Sequence, residues 1–303
     1  MAKIHRNDDP YYIQNQRKAA TQQLTPPAPD LEPTVLSPEE EPAEAPAAPA
    51  PKRRRGNLVY NIAIVVCLLV FLVSGGMLLK RLWEDRQSEN EFAALQSLID
   101  TEAQTGEDAE SNSAKFAALR DQNSDFIGWL SIEGTSLDYP VMYAPDSKDF
   151  YLRRDFNKEY SVYGVPYLDE KTTLGANDQS ENLIIYGHNM KTGTIFGCLT
   201  GYQKADYYAE HPYVEFDTVY GDGKYQVFAA FAIDVVADTT FVYNQYVDLD
   251  EAGYDAYVDE VIARSDVDSG IRPEYGEQLL TLSTCAYSSD NGRYVVVARR
   301  VQD

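Results

Sequence analysis

Cys285 stands at the end of an apolar, β-rich run, Leu279–Thr284, and Arg293 opens a second such run eight residues later. His188 closes a third, in Asn182-Leu-Ile-Ile-Tyr-Gly-His188-Asn189. A thiol is a weak nucleophile until it loses its proton. An imidazole can take that proton, or as imidazolium stabilise the thiolate, and can later protonate a leaving amine. A guanidinium stays charged at any working pH. It can donate to the oxyanion of a tetrahedral intermediate, where losing one donor costs about 2.7–4 kcal/mol. Thiol, imidazole and guanidinium together are the parts of an acyl-transfer site. Each also has a plainer reading: a cysteine at a strand end as a small buried hydrophobe, a histidine bonded only to backbone, an arginine as a solvated edge charge. Spacing alone leaves both readings open.

Three strand ends must converge for that chemistry, which turns attention to the elements that carry them. From Asp125 the chain reads as short β runs: Phe126–Ile132, Leu137–Met142, Val165–Leu168, Leu183–Tyr186, Tyr213–Val219, Tyr225–Val236, Leu279–Thr284 and Tyr294–Val301. Leu183–Tyr186 is nearly all apolar, as expected of a strand buried on both faces. Gly221-Asp-Gly223 is a hairpin signal. Within Asp248–Arg264, Leu249, Tyr254, Val258 and Ile262 recur at helical spacing, predicting one helix inserted before the penultimate strand. The expected fold class is mainly β with peripheral helices, an eight-stranded barrel closed or nearly so. The eight-residue gap from Cys285 to Arg293 suits a loop between neighbouring antiparallel strands, so both side chains can reach one rim.

The rest of the chain predicts how this domain is held. Residues 1–55 contain ten of the fifteen prolines and few large apolar side chains, so they are expected to form a disordered tail. Leu58–Leu79 is 22 residues without a charge, long enough to cross a hydrocarbon core of about 30 Å. A single transmembrane helix over 56–80 follows. Lys52-Arg-Arg-Arg55 abuts its start, which by the positive-inside rule favours a cytoplasmic N-terminus and an extracellular remainder. Residues 81–114 read as a helical stalk: Phe92, Leu95, Leu98 and Ile99 share a face that could dock on the domain, Thr105–Ser113 should break the helix, and Ala114–Asp121 should start another. Residues 115–303 are expected to form the β-barrel domain that carries the candidate acyl-transfer site, a catalytic domain on that reading. The net charge of −22 falls entirely on residues 80–303, with 18 basic against 40 acidic side chains. That argues against nucleic acid as a partner. Beyond the span the cysteines are Cys198 and Cys285, whose pairing as a disulfide is the structural alternative to a reactive thiol. With His5, His188 and His211 as the only histidines and no CxxC, no metal site or cofactor is expected.

Several motifs carry a family resemblance. Thr281-Leu-Ser-Thr-Cys285 resembles the TLxTC motif of the class B sortases, the membrane-anchored cysteine transpeptidases of Gram-positive bacteria. Tyr186-Gly-His188-Asn189 is similar to their histidine motif and Arg293-Tyr-Val-Val-Val to their arginine strand. Asn123–Leu130, Gly134-Thr, Asp138-Tyr-Pro-Val141 and Asp149-Phe-Tyr-Leu152 resemble the entry to the class B barrel. The likeness covers about residues 115–303. It implies a sortase-like barrel in which Cys285 attacks the Thr carbonyl of an LPXTG- or NPXTN-like sorting signal, with His188 and Arg293 assisting. It implies no metal requirement. The acyl group would pass to an amine of a peptidoglycan precursor or a pilin, the donors being secreted proteins with a C-terminal sorting signal. Ser283 and Thr284 would line the groove, Thr239 and Tyr243 would contact the peptide, and Cys198 would be structural.

Two other functions remain in view. A cysteine peptidase would use the same Cys–His pair with water as acceptor, and added amine would not raise its turnover. A non-catalytic, membrane-tethered binding module would tolerate loss of the Cys285 thiol and would never form a covalent adduct with a sorting peptide.

Overall fold

The computed structural model describes residues 56–99, 109–285 and 291–301. The expected tail, the Lys52–Arg55 cluster and His5 lie outside them. Helix α1 runs over Gly56–Gln96 and carries the apolar stretch with its side chains exposed. Among the described residues it is the one helix long and apolar enough to cross a membrane. It continues unbroken past residue 80, so the apolar stretch and the first part of the expected stalk share one helix. Its distal face behaves as its spacing predicts. Phe92 and Leu95 are buried in the domain core, Leu98 and Ile99 pack beside them, and the Phe92 ring stands edge-on to Tyr139 at 4.8 Å.

Helix α2, Ala109–Lys115, and helix α3, Ala117–Gln122, follow. The break expected over Thr105–Ser113 falls partly outside the described residues, and residues 109–113 are helical. Tertiary bonds override the weak helix preference of Ser and Asn there. The buried Lys115 ammonium sits 2.7 Å from Asp217 and 3.3 Å from Asp222, and Asn112 donates to the Thr218 carbonyl and to Asp222.

Eight strands close a barrel: β1 (Phe126–Ser131), β2 (Asp138–Met142), β3 (Tyr167–Leu168), β4 (Asn182–Tyr186), β5 (Tyr213–Thr218), β6 (Lys224–Asp234), β7 (Leu279–Cys285) and β8 (Gly292–Val301). Around the barrel the order is β1-β2-β3-β4-β7-β8-β6-β5, which leaves no open sheet edge. β2–β3 and β4–β7 pair in parallel, and the other neighbours are antiparallel. β5 and β6 form the hairpin expected at Gly221–Gly223. Short elements not anticipated among the described residues are helix α4 (Ala205–Glu210) and three 3₁₀ turns, Phe150–Arg153, Gly197–Gln203 and Tyr243–Gln245.

The inserted helix α5 is Glu251–Arg264, between β6 and β7. It starts three residues later than its apolar pattern suggests because Asp250 is the cap, accepting the Gly253 N–H at 2.8 Å. Its buried stripe is Tyr254, Tyr257, Val258 and Val261, whereas Ile262 is 37% exposed. Positions 254, 257, 258 and 261 follow the i, i+3, i+4, i+7 face, and Ile262 lies one step around from it.

Strand alternation divides β7 between two cores. Leu280 and Leu282 point into the barrel, while Leu279 joins the layer under α5. Thr281 faces that layer too: Tyr257 donates to its hydroxyl at 2.8 Å, and it donates to Asn182 Oδ1 at 2.8 Å. All three groups are buried. Thr281→Val strands both partners in the interior. It should lower stability by about 1–3 kcal/mol, read by urea unfolding of the full chain in detergent as a lower midpoint at unchanged m-value.

Candidate active site

Two strand registers bring the sequence-predicted trio together. In the parallel β4–β7 ladder, Tyr186 lies opposite Ser283. The chain stays alongside β7 beyond the last strand residue, since the Gly187 N–H donates to the Ser283 carbonyl at 3.1 Å and the Thr284 hydroxyl to the Gly187 carbonyl at 2.7 Å. His188 therefore arrives beside the end of β7. In the antiparallel β7–β8 ladder, Cys285 is the direct partner of Arg293. Imidazole, thiol and guanidinium thus form a row across three adjacent strand ends. The connection 286–290 lies outside the described residues.

Glycine at 187 is required by packing. A Cβ there would come within 2.6 Å of the Phe196 ring, which folds over this turn while the Phe196 N–H bonds the His188 carbonyl at 3.0 Å. Asn189 then donates its side-chain amide to the Cys285 carbonyl at 2.7 Å. Turn and β7 are tied together by three hydrogen bonds within three residues.

The row borders a cleft of about 380 Å³ that is lined also by Leu152, Asp169, Tyr186, Val235 and Phe241–Asn244, a size suited to a small ligand or peptide segment. Cys285 is exposed and free. Cys198 is a separate free thiol in the Gly197–Gln203 turn, and burial raises its pKa. His188 is half-buried, with Nε2 2.7 Å from the Leu152 carbonyl oxygen. A carbonyl only accepts, so Nε2 carries the proton and in the neutral ring Nδ1 is the free base. Burial pushes the His188 pKa below its ordinary value and the nearby Arg153 charge adds to this, against the opposing Leu152 bond. Arg293 is half-buried and donates to the Gly292 carbonyl at 3.0 Å.

The expected peptide contacts divide into three situations. Ser283 and Thr284 border the cleft, but both are buried and their hydroxyls are already engaged, Ser283 with the Tyr243 hydroxyl at 2.7 Å and Thr284 with Gly187. They shape the cleft wall and hold its strands. Tyr243 is also buried at the wall, its pKa raised by burial; the Arg293 charge acts to lower it and Cys285 to raise it. Thr239 is exposed on the segment after β6 and is not among the residues lining the cleft.

Other contributors went unread in the sequence. Asn189 follows His188 directly, and its position in the Tyr-Gly-His-Asn motif was the available signal. Asp169 is a buried carboxylate that accepts the Tyr186 hydroxyl at 2.7 Å and the Lys171 N–H at 2.8 Å. Nothing in its loop sequence marks it. Leu152 contributes a backbone atom, which no residue pattern encodes. Among the described residues, no group of three or more His, Cys, Asp or Glu side chains is arranged to hold a metal ion.

Comparison with known proteins points to one family and to the same barrel fold. The family model described as "Sortase domain" matches residues 130–301. Sortase B of Staphylococcus aureus is 30% identical over 256 residues, covering 83% of this chain and 99% of that protein. Sortase B of Listeria monocytogenes is 28% identical, covering 78% of this chain and 94% of that protein. The solved structure of a Staphylococcus aureus sortase B–substrate complex superposes with a TM-score of 0.64 at 30% identity, covering 73% of this chain and 99% of that one. With a closed eight-stranded barrel of the same kind, the chain belongs to the sortase family, on the class B branch, and is a sortase-type cysteine transpeptidase.

Proposed function

We propose that Cys285 is the nucleophile, His188 the acid–base group and Arg293 the oxyanion or carbonyl donor for cleavage of an LPXTG- or NPXTN-like sorting signal after its Thr. The observation that carries this reading is the row of the three side chains across β4, β7 and β8 at the mouth of one cleft. Cys285 Sγ gives its proton to the imidazole and bonds the Thr carbonyl carbon. Arg293 stabilises the resulting oxyanion. The C–N bond breaks, the imidazolium protonates the leaving amine, and a thioester remains. An amine from a peptidoglycan precursor or a pilin then attacks the thioester and releases the thiol. Tyr243 forms part of the peptide wall, with Ser283 and Thr284 supporting it, and Thr239 is the outermost candidate contact.

The same reading extends to cellular arrangement. Residues 1–55 are a cytoplasmic tail, 56–80 the single membrane span, 81–114 the stalk and 115–303 the extracellular catalytic domain that meets secreted proteins bearing C-terminal sorting signals. The uncharged stretch in α1 and the basic cluster before it support this orientation.

Three outcomes test the reading on the full chain in detergent. Mass spectrometry should find an acyl adduct on the wild-type protein mixed with a sorting peptide and none on Cys285→Ala, and hydroxylamine should raise turnover. An adduct that forms on Cys285→Ala defeats the nucleophile assignment, and hydrolysis indifferent to amine makes the enzyme a peptidase. Arg293→Ala should lower kcat about 100- to 1000-fold, as for loss of one oxyanion donor, with little change in thermal stability. The acid limb of kcat/KM reports protonation of His188, whose folded pKa is lowered. Activity should therefore persist as pH falls through 6.5, the ordinary imidazole value, and decline only below it. A limb centred above 6.5 contradicts the assignment.

A further inference from the structure

The imidazole of His188 is held from across the cleft by backbone. Leu152 belongs to the 3₁₀ turn Phe150–Arg153, which begins after Asp149 in a left-handed conformation, φ 53°. Its carbonyl oxygen, 2.7 Å from Nε2, sets which ring nitrogen is left as the base. The turn is anchored on one side by the buried Tyr151, whose hydroxyl donates to Asp125 at 2.7 Å and accepts from Asn123 at 3.0 Å.

Gly164 passes under the other side. Its φ is +61°, and a Cβ there would lie 2.7 Å from the Leu152 carbonyl oxygen, 2.8 Å from the Tyr151 carbonyl oxygen and 3.1 Å from the Leu152 carbonyl carbon. These atoms are backbone and cannot rotate aside as the tip of a flexible side chain can. The next residue, Val165, bonds the Tyr151 carbonyl at 3.3 Å, so glycine and turn are held in contact. Any side chain at 164 must push the carbonyl that orients the ring.

We infer that Gly164 is a positioning residue for His188, acting through the Leu152 carbonyl to set the tautomer and aim of the imidazole. The inference rests on the reading of His188 as the acid–base group. Lys148, Asp149 and Arg153 stand on the turn's side of the cleft, Cys285 and Arg293 on β7 and β8, Asp169, Glu170 and Lys171 on the facing loop, and Lys191 on the histidine's own turn. Arg153 is the charge that weighs on the ring. A displaced turn moves that charge as well as the carbonyl.

The test uses the full chain in detergent, labelled with ¹⁵N-histidine, and a peptide carrying an LPXTG or NPXTN signal. Wild-type His188 should show the Nε2–H tautomer, whereas His211, whose Nδ1 bonds the Glu133 carbonyl at 2.9 Å, should show the Nδ1–H form. Gly164→Ala should lower kcat about 10- to 100-fold, the scale of a displacement near 1 Å, with KM little changed and the His188 signal moved toward mixed tautomers. Gly276 has φ +100° with no atom within 4 Å of an added Cβ. Gly276→Ala therefore carries a backbone penalty at least as large, its φ lying farther from the left-handed α region, and should keep both rate and signal. Tyr151→Phe loosens the turn without adding an atom and should repeat the signature in smaller measure, which keeps the test decisive if Gly164→Ala does not fold. Wild-type kcat and His188 spectrum in Gly164→Ala, or in Tyr151→Phe where the first variant does not fold, overturn the inference. Equal losses in Gly276→Ala do so too. Full turnover in His188→Ala overturns the acid–base reading and this inference with it, whereas loss there beside an unaffected Gly164→Ala overturns the inference alone.

Discussion

Parallel pairing between β4 and β7 is the constraint on which the site depends. Parallel ladders hold two chains in a register that continues at the same end of both, so whatever follows one strand emerges beside whatever follows the other. Here the register places Tyr186 opposite Ser283, and the bonds of Gly187 to Ser283 and Thr284 carry the pairing on to His188 and Cys285. A slip of one residue would send the two side chains to opposite faces of the sheet. Antiparallel pairing with β8 then adds Arg293 directly across from Cys285. Positional accuracy thus comes from backbone hydrogen bonds of a closed barrel, and rigid strands are better supports for reacting groups than loops.

That register is locked from the outer face. The side chains of Thr281 and Ser283 point away from the barrel interior and into the layer beneath α5, where Tyr257 and Tyr243 bond their hydroxyls. Asn182 crosses from β4 to Thr281 and donates to the Tyr246 carbonyl at 2.7 Å. Buried polar groups are costly unless paired, and these pair only in the native register. The helix inserted between β6 and β7 therefore does more than cover apolar surface. Through the hydroxyls of Tyr257 on the helix and Tyr243 on the turn before it, this insertion discriminates between strand alignments that hydrophobic burial alone would accept.

Much of this was legible in the chain. The eight strands, the hairpin at Gly221–Gly223, the inserted helix and the docking face around Phe92 and Leu95 were all visible in period-2 and helical patterns, because burial on one face writes itself into the sequence. Cys285, His188 and Arg293 were legible as reactive types at the ends of apolar runs, and the family motifs made the grouping specific. What was not legible has physical reasons. Residues 109–113 look like a breaker because the partners of Asn112 and Lys115 lie about a hundred residues away. Ile262 fits the helical repeat by number but falls outside the buried arc. Ser283 and Thr284 do border the cleft, but the bonds of their hydroxyls to Tyr243 and Gly187 come from positions distant in sequence. Leu152 acts through a carbonyl every residue possesses.

The bond from Asn189 to the Cys285 carbonyl joins positions 96 residues apart. Contacts of such long sequence range form late, since a large loop must be closed before they return any free energy. His188 lies far from Cys285 along the polypeptide and meets it through the β4–β7 pairing, and Arg293 joins them when β8 inserts between β7 and β6. A nascent or truncated chain without β8 lacks both the guanidinium and the closed barrel that aligns the other two. Assembly of the row therefore depends on docking of β8, whose ladders to β6 and β7 close the barrel.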